Sequence, residues 1–179
     1  MLLSFKNWFI LWLGREGIQV WWPLRLIWSA YDCLEWSFIR DTLALFKFPK
    51  HLISLIMSCT SSSSISVLFN GGALESFHPS RGIRQGDPFS PYLFIMCTEV
   101  LGALIVEKCE AKLWNPVMTS RGGISFSYLF FADDLVPFVK ADHKNCVAIK
   151  DALDTFCAFS SQKVSATKSQ VFFFSQCLS

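Results

Sequence analysis

Asp133 and Asp134 stand side by side between two strongly apolar runs, residues 124–131 and 135–139. Ile124, Phe126, Tyr128 and Phe130 alternate with Ser125 and Ser127, the period-two pattern of a strand with one buried face. Leu135, Val136, Phe138 and Val139 supply a return strand, which puts the two acids at or near a hairpin turn. Ionised carboxylates against a buried sheet are costly to desolvate unless something pairs with them. No basic residue lies within five positions of either acid, so a bound cation is a natural partner. A solvated, inert turn at the sheet rim is the other reading, and this stretch alone leaves both open.

A second stretch carries chemistry of a different kind. Residues 81–91 read Arg-Gly-Ile-Arg-Gln-Gly-Asp-Pro-Phe-Ser-Pro, directly ahead of a helical pattern. Arg81 and Arg84 offer charge-assisted bonds to phosphate. Gly82 and Gly86 let backbone approach a ligand closely, and Gln85 has the donors and acceptor to meet a sugar or a base. Asp87 caps the helix, with Pro88 at its first position, where no amide donor is required. A well-capped loop without a ligand is the alternative.

The elements that must position these groups follow from periodicity. Leu24–Tyr31 reads as a strand weakened by Arg25. Trp36, Ile39, Leu43 and Phe46 recur at helical spacing up to Pro49, and a second apolar helix runs from Lys50 to about Cys59. Residues 65–69 and 73–77 flank Asn70-Gly71, a strong hairpin signal because both residues accept positive φ. Leu93, Cys97, Val100 and Leu104 share one face of a helix that reaches Glu110. After the acid hairpin, Asp142 caps a helix whose Cys146, Ile149, Leu153 and Phe156 share a face, and residues 171–174 form a last strand. This order suits an α+β fold with a split βαβ core.

Length and composition set the outer limits. The 179 residues, 52% hydrophobic and 17% charged, can bury a real core and exclude disorder. A net charge of +2 is too small to argue for a nucleic-acid partner from electrostatics alone. Seven scattered cysteines (33, 59, 97, 109, 146, 157 and 177) without a Cys-x-x-Cys pair favour reduced thiols in an intracellular protein, of nucleus or cytoplasm, over a disulfide frame or zinc site. The apolar run at the N-terminus is far shorter than the ~20 residues of a membrane span and precedes no small-residue cleavage site, so no membrane association is expected. No protein partner is evident.

Together the two stretches resemble the reverse transcriptase domain of plant non-LTR (LINE-type) retrotransposons. The matching segments are AYDCLEWSFI (30–39), ISVLFNGG (65–72), SRGIRQGDPFSPYLF (80–94), LFFADDLV (129–136) and KVSATKSQVFF (163–173). The resemblance implies the palm of a right-hand polymerase, an antiparallel split βαβ sheet with helices packed on it, plus part of the fingers. It assigns residues 29–179 to that domain, truncated before the thumb, and leaves 1–28 as an unrelated or degenerate apolar segment. It implies copying of an RNA template from a DNA primer with deoxynucleoside triphosphates and two magnesium ions. Two such ions, about 3.5–4 Å apart, clamp the attacking and leaving oxygens of an in-line phosphoryl transfer.

Residue by residue, the resemblance makes Asp133 the principal metal ligand of the turn and Asp134 its second acid. Gln85, Gly86 and Phe131 line the incoming-nucleotide pocket, Tyr31 stands against the sugar, and Lys168 meets a phosphate. Arg81 and Arg84 contact nucleic acid. The family's remaining metal-binding aspartate falls five residues before Tyr31, on Leu26, whose aliphatic side chain cannot ligate a cation. Asp32 is no substitute, because six strand positions at about 3.3 Å each amount to roughly 20 Å. Ser161 and Thr167 also depart from the family's glycine and asparagine, and Pro137 interrupts the return strand, tolerable mainly at an edge or bulge. The resemblance therefore implies a catalytically impaired reverse transcriptase fragment. The alternative is a non-catalytic nucleic-acid-binding remnant that uses Arg81, Arg84 and Lys168.

Overall fold

The computed structural model describes residues 19–21, 24–25, 31–118, 123–131, 133–140, 142–165, 169 and 172–174. The chain divides into two compact units, one of residues 1–28, 99–158 and 162–179, the other of residues 29–98 and 159–161. Two stretches of residues 1–28 are strands of the principal sheet.

That sheet belongs to the first unit and is built on β8 (Asp134–Lys140). On one side β8 pairs with β7 (Tyr128–Phe131), and on the other with β1 (Gln19–Trp21) and β2 (Leu24–Arg25), all antiparallel. Trp21↔Phe138 and Leu24↔Leu135 keep one register, so β1 and β2 run along β8 as successive parts of one ladder. β9 (Phe172–Phe174) joins the far side of β1, also antiparallel. β8 and β9 are thus parallel to each other with β1 between them, connected through helix α4 (His143–Ser160). A small sheet pairs β5 (Val117–Met118) with β6 (Ser125–Phe126).

Pro137 corrects one expectation, because it lies in the strand paired on both sides. The Phe138 amide donates to the Ser127 carbonyl at 2.8 Å, on the β7 side. Amides alternate along an antiparallel strand, so the Pro137 nitrogen faces the β1/β2 side. It falls there between the paired residues Leu135 and Phe138, and no described ladder bond is lost.

The core of this unit is the face that periodicity implies: Cys146, Ile149, Leu153 and Phe156 of α4 are buried with Leu135, Phe138 and Val139. Leu101 and Ile105, of the part of α3 (Ser90–Glu110) that lies here, complete it. Asp142 caps α4, its Oδ1 accepting from the Asn145 amide at 2.8 Å. Asn145, fully buried, ties the corner together. Its Oδ1 accepts from the Asn115 amide at 2.6 Å, and its Nδ2 donates to the Lys140 carbonyl at 3.1 Å and to Asp142 Oδ2 at 2.8 Å. Beside it the buried Trp114 donates through Nε1 to the Phe138 carbonyl at 3.2 Å. Lys108 of α3 pairs with Asp151 of α4.

The second unit holds α1 (Trp36–Leu45), α2 (Lys50–Ser61), the hairpin β3 (Leu68–Phe69)–β4 (Gly72–Ala73) and the start of α3. Phe38, Ile39, Thr42 and Leu43 form the buried face of α1. This helix stops before Pro49 has any part in it. Lys47 takes φ 60°, its amide donates to the Ala44 carbonyl and that of Phe48 to the Leu43 carbonyl, a Schellman ending. Asn70 (φ 48°) and Gly71 (φ 83°) make the hairpin turn. The strands are shorter than the 65–69 and 73–77 expected. Between the Val67–Leu74 and Ile65–Phe77 pairs, one strand advances two residues and the other three, a bulge that interrupts the ladder. At the start of α3, Asp87 Oδ1 accepts from the Phe89 amide at 2.8 Å, and the helix proper begins at Ser90 rather than Pro88. Among the described residues no helix is long and apolar enough to cross a membrane.

Candidate functional site

The acid turn is built by the β7–β8 register, in which Tyr128, Leu129, Phe130 and Phe131 face Pro137, Val136, Leu135 and Asp134. Asp133 occupies the turn and is half-buried; Asp134 opens β8 and is also half-buried. Directly opposed residues of an antiparallel pair share a face. Leu129, Phe131, Asp134 and Val136 therefore lie on one face and Tyr128, Phe130, Leu135 and Pro137 on the other. The second face is the covered one, with Leu135 at 1% exposure. The first is open, with Phe131 75% exposed. An acid, an exposed ring and two aliphatic residues thus stand together beside the turn.

Across from Asp134 on its other side, the register places Arg25 of β2. Local spacing could not have found this basic residue. The five positions on either side of an acid run along the chain, whereas the register pairs residue 25 with Asp134 across the sheet. Leu26, the next residue in sequence, lies outside the described residues, as does Lys168. Among the described residues no three His, Cys, Asp or Glu side chains gather as a metal-binding group. Two adjacent carboxylates do not make a closed protein cage. They suit a hard divalent cation that keeps waters and completes its shell with oxygens of a bound phosphate.

The arginine-glycine loop is set in the other unit by three contacts with the segment before α1 and one with its first residue, Trp36. The Gly82 amide donates to the Leu34 carbonyl and the Ile83 amide to the Tyr31 carbonyl, both at 2.8 Å. Trp36 Nε1 donates to the Gly82 carbonyl at 2.7 Å, and Arg81 pairs with Glu35 at 3.6 Å. Ile83 is buried and anchors the loop, while Arg81, Arg84, Gln85 and Gly86 remain exposed. Gly86, at φ 85°, has open space where a Cβ would be. Tyr31 is half-buried, its ring stacked on Phe94 of α3 at 5.2 Å and 24°. Asp32, Thr60, Ser63, Arg81, Arg84 and Gln85 line an open groove of about 310 Å³. Tyr31 and the loop are therefore held together, with two guanidinium groups and an amide side chain on its exposed rim. Trp36 and Phe94 fall inside the quoted segments 30–39 and 80–94, but their roles in holding this loop and Tyr31 were not assigned from the sequence.

Residues 27–177 match the reverse transcriptase (RNA-dependent DNA polymerase) family. The chain is 30% identical over 140 residues to the retrovirus-related Pol polyprotein from the type-2 retrotransposable element R2DM of Drosophila melanogaster, a match covering 78% of this chain and 12% of that protein. An uncharacterized mitochondrial protein of Arabidopsis thaliana is 45% identical over 67 residues, which are 37% of this chain and 55% of that one. The chain thus spans about an eighth of the first relative and about half of the second. In fold it is similar to apo telomerase from Candida tropicalis truncated from its C-terminal domain, with a TM-score of 0.62 at 16% identity over 98% of this chain and 34% of that one. The sheet with its aspartate hairpin and the helices are accordingly those of a polymerase palm/fingers fold. The chain belongs to the reverse transcriptase family, as a domain of the kind carried by non-LTR retrotransposons.

Proposed function

We propose that this chain is the palm and part of the fingers of a retrotransposon reverse transcriptase, with its metal site weakened by Leu26. The β2–β8 register supports this reading more than any other observation. It lays β2, which ends at Arg25, against Asp134, so the last described residue before position 26 stands opposite the acid turn. Reverse transcriptases use divalent metal ions, and in this reading the ion is magnesium. Asp133 would hold it first and Asp134 second. Held by these two carboxylates, the ion would supply charge neutralisation for phosphoryl transfer.

The remaining roles belong to this chain's own groups. Within their own unit, Gln85 and Gly86 would meet the incoming deoxynucleoside triphosphate, and Tyr31 its sugar. Arg81 and Arg84, on an exposed loop ahead of α3, would meet the phosphates of an RNA template or DNA primer. Lys168 would take a further phosphate. Losing one of three carboxylates leaves the chain able to bind nucleic acid while it transfers nucleotides poorly.

Primer extension on an RNA template with magnesium tests this reading. The chain as it stands should give no product above that of Asp133→Ala, and Leu26→Asp should raise extension. Extension by the unaltered chain that Asp133→Ala abolishes would overturn the claim of impairment.

A further inference from the structure

Gly102 sits inside the long helix α3, where glycine is the poorest residue short of proline. It is buried, and a Cβ built on it would stand 2.6 Å from the Tyr128 hydroxyl oxygen and 3.2 Å from Cζ. The tip of Tyr128 thus occupies the space that any other residue at 102 would fill. Tyr128 begins β7, the strand that leads into the acid turn. Its ring is half-buried. Phe130 packs edge-on against it at 5.1 Å and 62°, and its partner across the ladder is the rigid Pro137. Burial, followed by the Glu99 carboxylate and the Cys109 thiol, pushes its phenol above the ordinary value.

We infer that the Gly102 notch and the Tyr128 phenol form a positioning contact that sets the height of the β7–β8 hairpin above α3, and through it the placement of Asp133 and Asp134. The inference rests on the metal-binding reading of that turn but adds two residues the reading does not use. Neither touches substrate. Tyr128 acts from the covered face of β7, while Phe131 and Asp134 lie on the open one. A methyl group at 102 has backbone behind it and the phenol in front, so the phenol must move. Because Phe130 packs against the ring, the displacement passes to the strand that carries both.

Four proteins test this: the unaltered chain, Gly102→Ala, Tyr128→Phe and the double variant. Two readouts separate positioning from mere stability. The first is amide hydrogen exchange across residues 129–136, set against the amides of α4. Gly102→Ala should speed exchange in the hairpin about tenfold while α4 stays unchanged, and the double variant, lacking the hydroxyl, should return near the original rate. The second is Mn²⁺ alone, titrated by electron paramagnetic resonance. Gly102→Ala should weaken it by about tenfold and the double variant should recover it.

Should Gly102→Ala fail to fold, Tyr128→Leu, which empties the notch, should loosen the same hairpin amides. An unchanged hairpin in both single variants, equal loosening of α4, or no recovery in the double variant overturns the inference. If the unaltered chain binds no Mn²⁺, the metal reading of the turn fails, and the exchange data still decide whether the notch holds the hairpin.

Discussion

Gly82 passes so close to the Asp32 carbonyl that a Cβ on its Cα would stand 2.7 Å from that oxygen, with φ at 86°. Two demands fall on one position, a left-handed backbone and the absence of a side chain. The carbonyl belongs to the main chain and cannot rotate away. Gly86, at nearly the same φ, has nothing within reach of a Cβ. One glycine is required by contact and conformation, the other by conformation alone.

Gly82→Ala should therefore destabilise its unit more than Gly86→Ala does. The strain shared by both is about 1–2 kcal/mol, and the clash adds to it at Gly82 only. Urea denaturation of the two variants checks the order. Equal losses would mean that the loop does not lie on the Tyr31–Trp36 segment as described.

Asn145→Leu should cost about 2–4 kcal/mol. It takes from a fully buried side chain the acceptor of the Asn115 amide and the Nδ2 donor to the Lys140 carbonyl and to Asp142 Oδ2, while the main-chain cap of Asp142 stays. Thermal denaturation followed by circular dichroism reads this, with Lys150→Ala, which removes only an exposed pair with Asp154, as the near-neutral comparison.

Alkaline pH should unfold the protein early. Burial pushes the Cys97 thiol up to about 12 from an ordinary 9.0, opposed by the Thr42 hydroxyl, and burial followed by the Asp142 carboxylate pushes the Cys146 thiol up. A thiol whose folded value is raised keeps its proton longer in the native state. Its contribution is complete below pH 9 and is lost as pH rises toward the folded value. The slope is about 1.4 kcal/mol per pH unit for each thiol. Denaturation midpoints between pH 8 and 11 test the sign, and Cys97→Ala should flatten the fall.

Much of this was legible in the sequence, for physical reasons that also explain the misses. The α4 face, the Asn70-Gly71 turn and the acid hairpin rest on local periodicity and turn chemistry, and local rules found them. Arg25 beside Asp134 and the Pro137 position depend on which strands pair. Pairing between residues more than a hundred positions apart leaves no trace in a window of ten. The ending of α1 was missed because Lys47 in a left-handed conformation is not a residue type that signals a stop, whereas Pro49 is. The Gly102 notch could be read as a weak helix position but not as a seat for Tyr128. Of the site residues, Tyr31 and the arginine loop are brought together in one unit. Asp133, Asp134 and Phe131 are brought together in the other.

Replacing Arg84 by Ala should lower the salt slope of template binding by about one unit, as loss of one phosphate contact requires. Arg81→Ala should do the same and also free Glu35. Filter binding of an RNA–DNA hybrid across a salt series measures both. An unchanged slope would remove these arginines from the interface.

Titration of Mn²⁺ into the unaltered chain, Leu26→Asp and Leu26→Asp/Asp133→Asn addresses the acid turn most directly. A carboxylate at position 26 should tighten the ion by at least about tenfold, and Asp133→Asn should cancel the gain. Equal affinity in all three proteins would contradict a metal site at Asp133 and Asp134 that lacks only its third acid.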